Sequence, residues 1–120
     1  GGNAGPLQRA TAQLKSEDRD VRVFTTSWDG DAHAGCVETS IQLTLQPERV
    51  HMADAVLGNT RPLRELMGAL RAKGMRAVSE SGILGDPLSA TAREGAMLLD
   101  QLTADLLAEL LSWQSEGDVS

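Results

Sequence analysis

Apolar residues recur at helical spacing in three stretches of the chain, and these stretches set the predicted elements. Leu7, Ala10 and Leu14 predict a first helix, entered near Asn3 with Pro6 in its opening turn. The charged run 16–20 closes it as a solvated loop. Leu63, Leu66, Met67 and Leu70 make one stripe of a helix over 61–73, with Thr60 as its cap and Gly74 as its stop. Leu98, Leu99, Leu102, Leu106, Leu110 and Trp113 form a longer stripe. Thr91 and Glu94 precede it with capping-box spacing, and the polar 114–120 end frays.

Two further segments pattern differently. Residues 21–28 (Val-Arg-Val-Phe-Thr-Thr-Ser-Trp) are β-branched and aromatic and predict a strand. Residues 36–45 fit either period, with Val37 and Ile41 spaced as in a helix and Ile41, Leu43 and Leu45 alternating as in a strand. The helix is preferred, ended by Pro47. Short strands are expected near Val50 and over 75–78, and 79–87 reads as a loop rich in turn residues. A helix followed by a strand predicts an α/β layered fold, with strands flanked by helices and a long C-terminal helix.

Composition narrows the partners. The 120 residues carry 11 Lys and Arg against 17 Asp and Glu, a net charge of -6. No basic face is available for a phosphate backbone, so nucleic acid is not an expected partner. No apolar run is long enough to span a bilayer, and a membrane partner is not expected either. Cys36, the single cysteine, cannot pair internally, which fits a cytoplasmic location.

Reactive side chains concentrate at Asp29, Asp31, His33, Cys36 and Glu38. Carboxylates with an imidazole suit a divalent metal, and they suit acid–base chemistry equally well. Alternation places Asp29, Asp31 and His33 on one side of the loop after the predicted strand, and Glu38, one turn into the next helix, can point back at them. The same residues also fit plain turn and first-turn chemistry, because Asp and Gly are ordinary turn formers and a helix N-terminus favours a carboxylate. Cys36 fits a small packed residue, and His51 stands alone as a surface histidine. Gly1, Gly2 and Asn3 open a helix and offer backbone N–H groups to an anion or a carbonyl. Phosphate-loop, dinucleotide and Gly-x-Ser-x-Gly patterns are absent.

The run Asp31-Ala32-His33-Ala34-Gly35 followed by Glu38-Thr39-Ser40 resembles the His-Ala-Gly…Glu-Thr-Ser segment of the creatininase (creatinine amidohydrolase) family. Gly1-Gly2-Asn3 resembles the tail of that family's Asn-Gly-His-Gly-Gly-Asn loop, and the order and separation agree. Residues 60–66 and 81–87, with Glu94-Gly95, resemble one branch of the family more closely, the creatininase-like peptidases of the mycofactocin system. The resemblance covers nearly the whole chain up to Leu110.

It implies an α/β fold, a homo-oligomeric amide hydrolase with two divalent metal ions (Zn, Mn or Fe), and a peptide or small amide substrate. In the branch, that substrate is a precursor peptide that loses a C-terminal dipeptide. On the matching positions it implies Glu38 as a metal ligand and His33 as the catalytic acid–base, with Asp31 orienting it. Gly2, Asn3 and Trp28 would bind substrate. Ala32 replaces a Glu that creatininase carries before its histidine, which weighs against creatinine as substrate. The family's Glu-x-His and Asp ligands belong to an N-terminal half, so the chain reads as a C-terminal half, a partner to that missing half and inactive alone. A cyclic-amide hydrolase and a non-catalytic α/β assembly module are the alternatives.

Overall fold

Among the described residues (3–26 and 30–117) of a computed structural model, the regular structure is helical throughout. The helices are α1 (Ala4–Ser16), α2 (Cys36–Leu45), α3 (Leu63–Lys73) and α4 (Ala92–Gly117), with three-residue 3-10 turns at Pro47–Arg49, Met52–Asp54 and Met75–Ala77. The expected α/β layering is therefore corrected: no strand forms among the described residues. The physical reason is that a strand exists only through its ladder, whatever the propensity of its residues. Residues 21–26 have the composition of a strand, but among the described residues none of their backbone groups meets a partner. The strand expected over 75–78 is instead a 3-10 turn following Gly74, and Val50 is one extended residue between two such turns. Residues 27–29, with Trp28 and Asp29, lie outside the described residues.

Helix ends follow local chemistry. The residue before a proline is disfavoured in the α region. Gln46 accordingly leaves the helix at φ -149° before Pro47, and α2 ends one residue earlier. The same rule holds Arg61 out of α3, which begins after Pro62 instead of at 61, and Thr60 does not cap it. Gly74, at φ 78°, ends α3 by donating its N–H to the Leu70 carbonyl at 3.0 Å. Asn3 occupies the N-cap position of α1, but its side chain makes no capping bond.

The chain divides into two compact units, Gly1–Ser27 with Glu109–Ser120, and Trp28–Ala108. In the first, Arg22 pairs with Glu116, and its guanidinium lies 5.6 Å from the centroid of the Trp113 ring. Helix α1 buries no residue, and Leu7 and Leu14 are exposed.

The second unit has a small core of Leu66, Leu84 and Ala90. Ser40 of α2 is fully buried where the start of α4 meets it. Its hydroxyl accepts the Thr91 N–H at 3.1 Å, a donor that a helix N-terminus otherwise leaves unpaired. Thr91 in turn accepts the Glu94 N–H at 3.1 Å, so half of the expected capping box forms. The hydroxyl of Thr44 ties the two helices again by donating to the Ala92 carbonyl at 2.6 Å. This close approach needs Gly95, which is buried, because a Cβ there would overlap the carbonyl of Ser40.

For Gly95→Ala, the gain in helix propensity is about 1 kcal/mol. The overlap is with backbone, which cannot rotate aside, and overpacking costs about 1–3 kcal/mol. The depth of the overlap places the cost at the upper end of that range, so we expect a net loss of stability of about 2 kcal/mol. Urea denaturation with an unchanged m-value checks it, and a stabilised variant would contradict the packing described.

Candidate active site

The site is built on three extended segments that lack the length of strands. Leu84 lies at the centre, almost fully buried. Its carbonyl accepts the N–H groups of Ala32 at 2.9 Å and His33 at 3.1 Å, and its own N–H returns to the His33 carbonyl at 2.9 Å. The flanking carbonyls of Ile83 and Gly85 accept the N–H groups of Asn59 and Gly58, each at 3.0 Å. Residues 83–85 thus spend their backbone groups on two neighbours at once, as buried polar groups must. Asn59 fixes its own segment by donating Nδ2 to the Val78 carbonyl at 2.7 Å and accepting the Arg61 N–H at 3.0 Å.

From this seat the chain turns through Ala34, a non-glycine residue at φ 53°, into α2. Glu38, one turn into α2, reaches back. Its Oε2 accepts the Ala34 N–H at 2.6 Å and stands 3.4 Å from His33 Nδ1. Both side chains are about half exposed, at 55% and 54%. Imidazole and carboxylate face each other within ion-pairing reach once His33 is protonated, and Nε2 is the ring nitrogen that does not face Glu38.

Asp31 takes a different part. Its Oδ2 accepts the Cys36 N–H at 2.8 Å and the Asp86 N–H at 3.0 Å. None of its hydrogen bonds goes to the imidazole of His33. Cys36, half buried, places its Sγ 3.5 Å from Glu94 Oε2 and 3.5 Å from Ser89 Oγ. A cavity of about 320 Å3 opens beside the loop, between Gly30, Asp31 and Ala32 on one side and Asn59–Leu63 on the other.

The spacing argument thus finds its pair in His33 and Glu38. Asn3 belongs to the other compact unit. Gly2, Trp28 and Asp29 lie outside the described residues. His51 is exposed, 3.9 Å from Asp54, apart from this cluster. The sequence reading missed Asn59 and the 83–86 segment as parts of the site. The signal for the latter was present in Gly82, Gly85, Asp86 and Pro87, read as turn chemistry and as part of the 81–87 family resemblance but not as part of the site.

Among the described residues no three His, Cys, Asp or Glu side chains come together to hold a metal ion. A catalytic zinc site takes three protein ligands. Glu38 and His33 amount to two donors, so these residues by themselves do not fit the family's metal centre.

The sequence profile of the creatininase family, described as creatinine amidohydrolase, matches residues 1–110. The mycofactocin precursor peptide peptidase of Mycolicibacterium smegmatis is 44% identical over 117 residues, covering 97% of this chain and 47% of that protein. The proteins of the same name from Mycobacterium ulcerans and Mycobacterium tuberculosis are 42% and 40% identical, each over 98% of this chain. The chain spans about half the length of the curated relatives it matches. No solved structure matches it.

A charge-assisted hydrogen bond contributes about 1.5–3 kcal/mol, and the exposure of Glu38 puts its bond to Ala34 at the low end. Glu38→Ala is expected to speed exchange of the Ala34 amide hydrogen by about tenfold, while Glu38→Gln, which keeps an acceptor, changes it little. Residue-resolved hydrogen exchange checks this, and equal rates in all three proteins would contradict the geometry.

Proposed function

The chain belongs to the creatininase family, and on that premise we propose that it is the His33-bearing part of a peptidase that cleaves a mycofactocin precursor peptide. The names of its relatives support the substrate. The observation that carries the chemistry is the placement of His33 Nδ1 at 3.4 Å from the Glu38 carboxylate, on a loop tied to Leu84.

A carboxylate facing one nitrogen of an imidazole orients the ring, leaving Nε2 toward the substrate. In hydrolysis, water adds to the scissile carbonyl. The C–N bond breaks with its electron pair moving to nitrogen, and His33 gives that nitrogen its proton. The water leaves its hydroxyl on the new carboxylic acid, and its second proton restores His33. Asn3, Gly2 and Trp28 remain the proposed substrate contacts. Release of a C-terminal dipeptide is the finer form of this reading.

Glu38 is also proposed as one ligand of a divalent metal ion (Zn, Mn or Fe). The remaining ligands, and the second ion of a two-metal site, would come from residues beyond those described. When bound, such a metal would supply polarisation of the carbonyl and a more acidic water. A homo-oligomer is proposed as well, supported by exposed Leu106, Leu107, Leu110 and Leu111 on α4. Among the described residues, no helix is long and apolar enough to cross a membrane.

In the protein that carries this chain, His33→Ala is expected to lower kcat on the precursor peptide by about 10²–10⁴-fold, the usual contribution of a general acid. Mass spectrometry of the peptide products checks it, and unchanged turnover would remove His33 from the mechanism. Elemental mass spectrometry checks the ligand proposal separately: Glu38→Gln is expected to lower bound metal. The 120-residue chain by itself is expected to bind less than one ion and to turn over no peptide, and activity of that chain would overturn the two-donor argument.

A further inference from the structure

We infer that Asp31 is a positioning residue and that residues 82–87 form its seat, the two together clamping His33 in place. The inference rests on His33 as the proton donor. It assigns a task to a turn that the chemistry so far leaves unused.

The clamp closes on a single atom. Asp31 Oδ2 accepts one N–H five residues ahead, at Cys36, and one 55 residues ahead, at Asp86. The first fixes the entry of α2 and hence the root of Glu38. The second fastens the loop to the 82–87 turn. Between these points, Ala32 and His33 pair with Leu84 at 2.9 and 3.1 Å. The loop is therefore held on both sides of His33, by Leu84 at its backbone and by Glu38 at its ring.

The packing around the carboxylate agrees. Gly35 and Gly85 are both buried, and a Cβ on either would overlap the Asp31 side chain. Two backbones have closed on one carboxylate, and Gly85, at φ 153°, also sits where L side chains are rarely found. Asp31 accepts two backbone N–H groups and needs no proton of its own to do so. An amide oxygen can accept both as well, and this separates positioning from acid–base work.

The test uses the protein that carries this chain, with Asp31→Asn, Asp31→Ala and Gly85→Ala. Positioning predicts that Asp31→Asn keeps kcat within about threefold and keeps the pH profile, while Asp31→Ala and Gly85→Ala lose about 100-fold in kcat, the scale of a 1 Å misplacement. Gly74→Ala, which strains the end of α3 at φ 78° and brings its Cβ against no neighbouring group, serves as the control: below its unfolding transition it keeps kcat. Loss of activity in Asp31→Asn equal to that of Asp31→Ala overturns the inference and makes Asp31 a proton carrier or a ligand.

Hydrogen exchange at the Cys36 and Asp86 amides gives a readout independent of turnover. Protection retained in Asp31→Asn and lost at both amides in Asp31→Ala supports the clamp. Protection retained in Asp31→Ala refutes it. If Asp31→Ala does not fold, wild type against Asp31→Asn still decides. If the wild type cleaves no peptide, the exchange data test the clamp while the peptidase reading alone fails.

Discussion

A peptide group taken out of water must find partners within the protein, and the second unit is arranged around one place where this demand is met in two directions. Leu84 turns its N–H and its carbonyl to the His33 loop, while the carbonyls on either side of it turn to Gly58 and Asn59. Three segments distant in sequence are thereby held at hydrogen-bond spacing without any reaching the length of a strand. The Leu84 side chain fills part of the small core, so apolar burial and backbone pairing reinforce each other at one residue. The buried Ser40 hydroxyl does similar work between α2 and α4.

The helices were legible because their signals are local. Leu63, Leu66, Met67 and Leu70 mark α3, Pro47 marks the end of α2, and Thr91 marks the start of α4. The strand expected over 21–28 was misread over its described part, 21–26, because its evidence was local while the thing predicted is not. Val21, Val23 and Phe24 state a preference, and only another strand can satisfy it. The shift of the α3 start to Leu63 has the same lesson at smaller scale: a cap residue at Thr60 was outweighed by a proline two positions later.

The site was legible in part. The five-residue spacing of His33 and Glu38 across a helix start was enough to bring them together. The partners of Asp31 were not legible, because one of them is the backbone N–H of Asp86, and a backbone donor leaves no trace in residue identity. What the sequence does show is the room made for the contact, in Gly35 and Gly85, and those glycines carry no hint of which side chain fills it. Family membership adds what spacing cannot, since the match extends over residues 1–110 and so includes both halves of this contact.

The 55-residue separation between Asp31 and Asp86 also has a consequence for how the protein is made. Closing a long loop costs chain entropy that only the finished contact offsets, so such contacts form after the local ones. During synthesis α2 can wind and Glu38 can approach His33 while the ribosome is still adding α3. The histidine loop has nothing to rest on until Leu84 and Asp86 have emerged. A histidine–carboxylate pair built this way stays unplaced in an incomplete chain and takes its final position only once the distant turn has arrived.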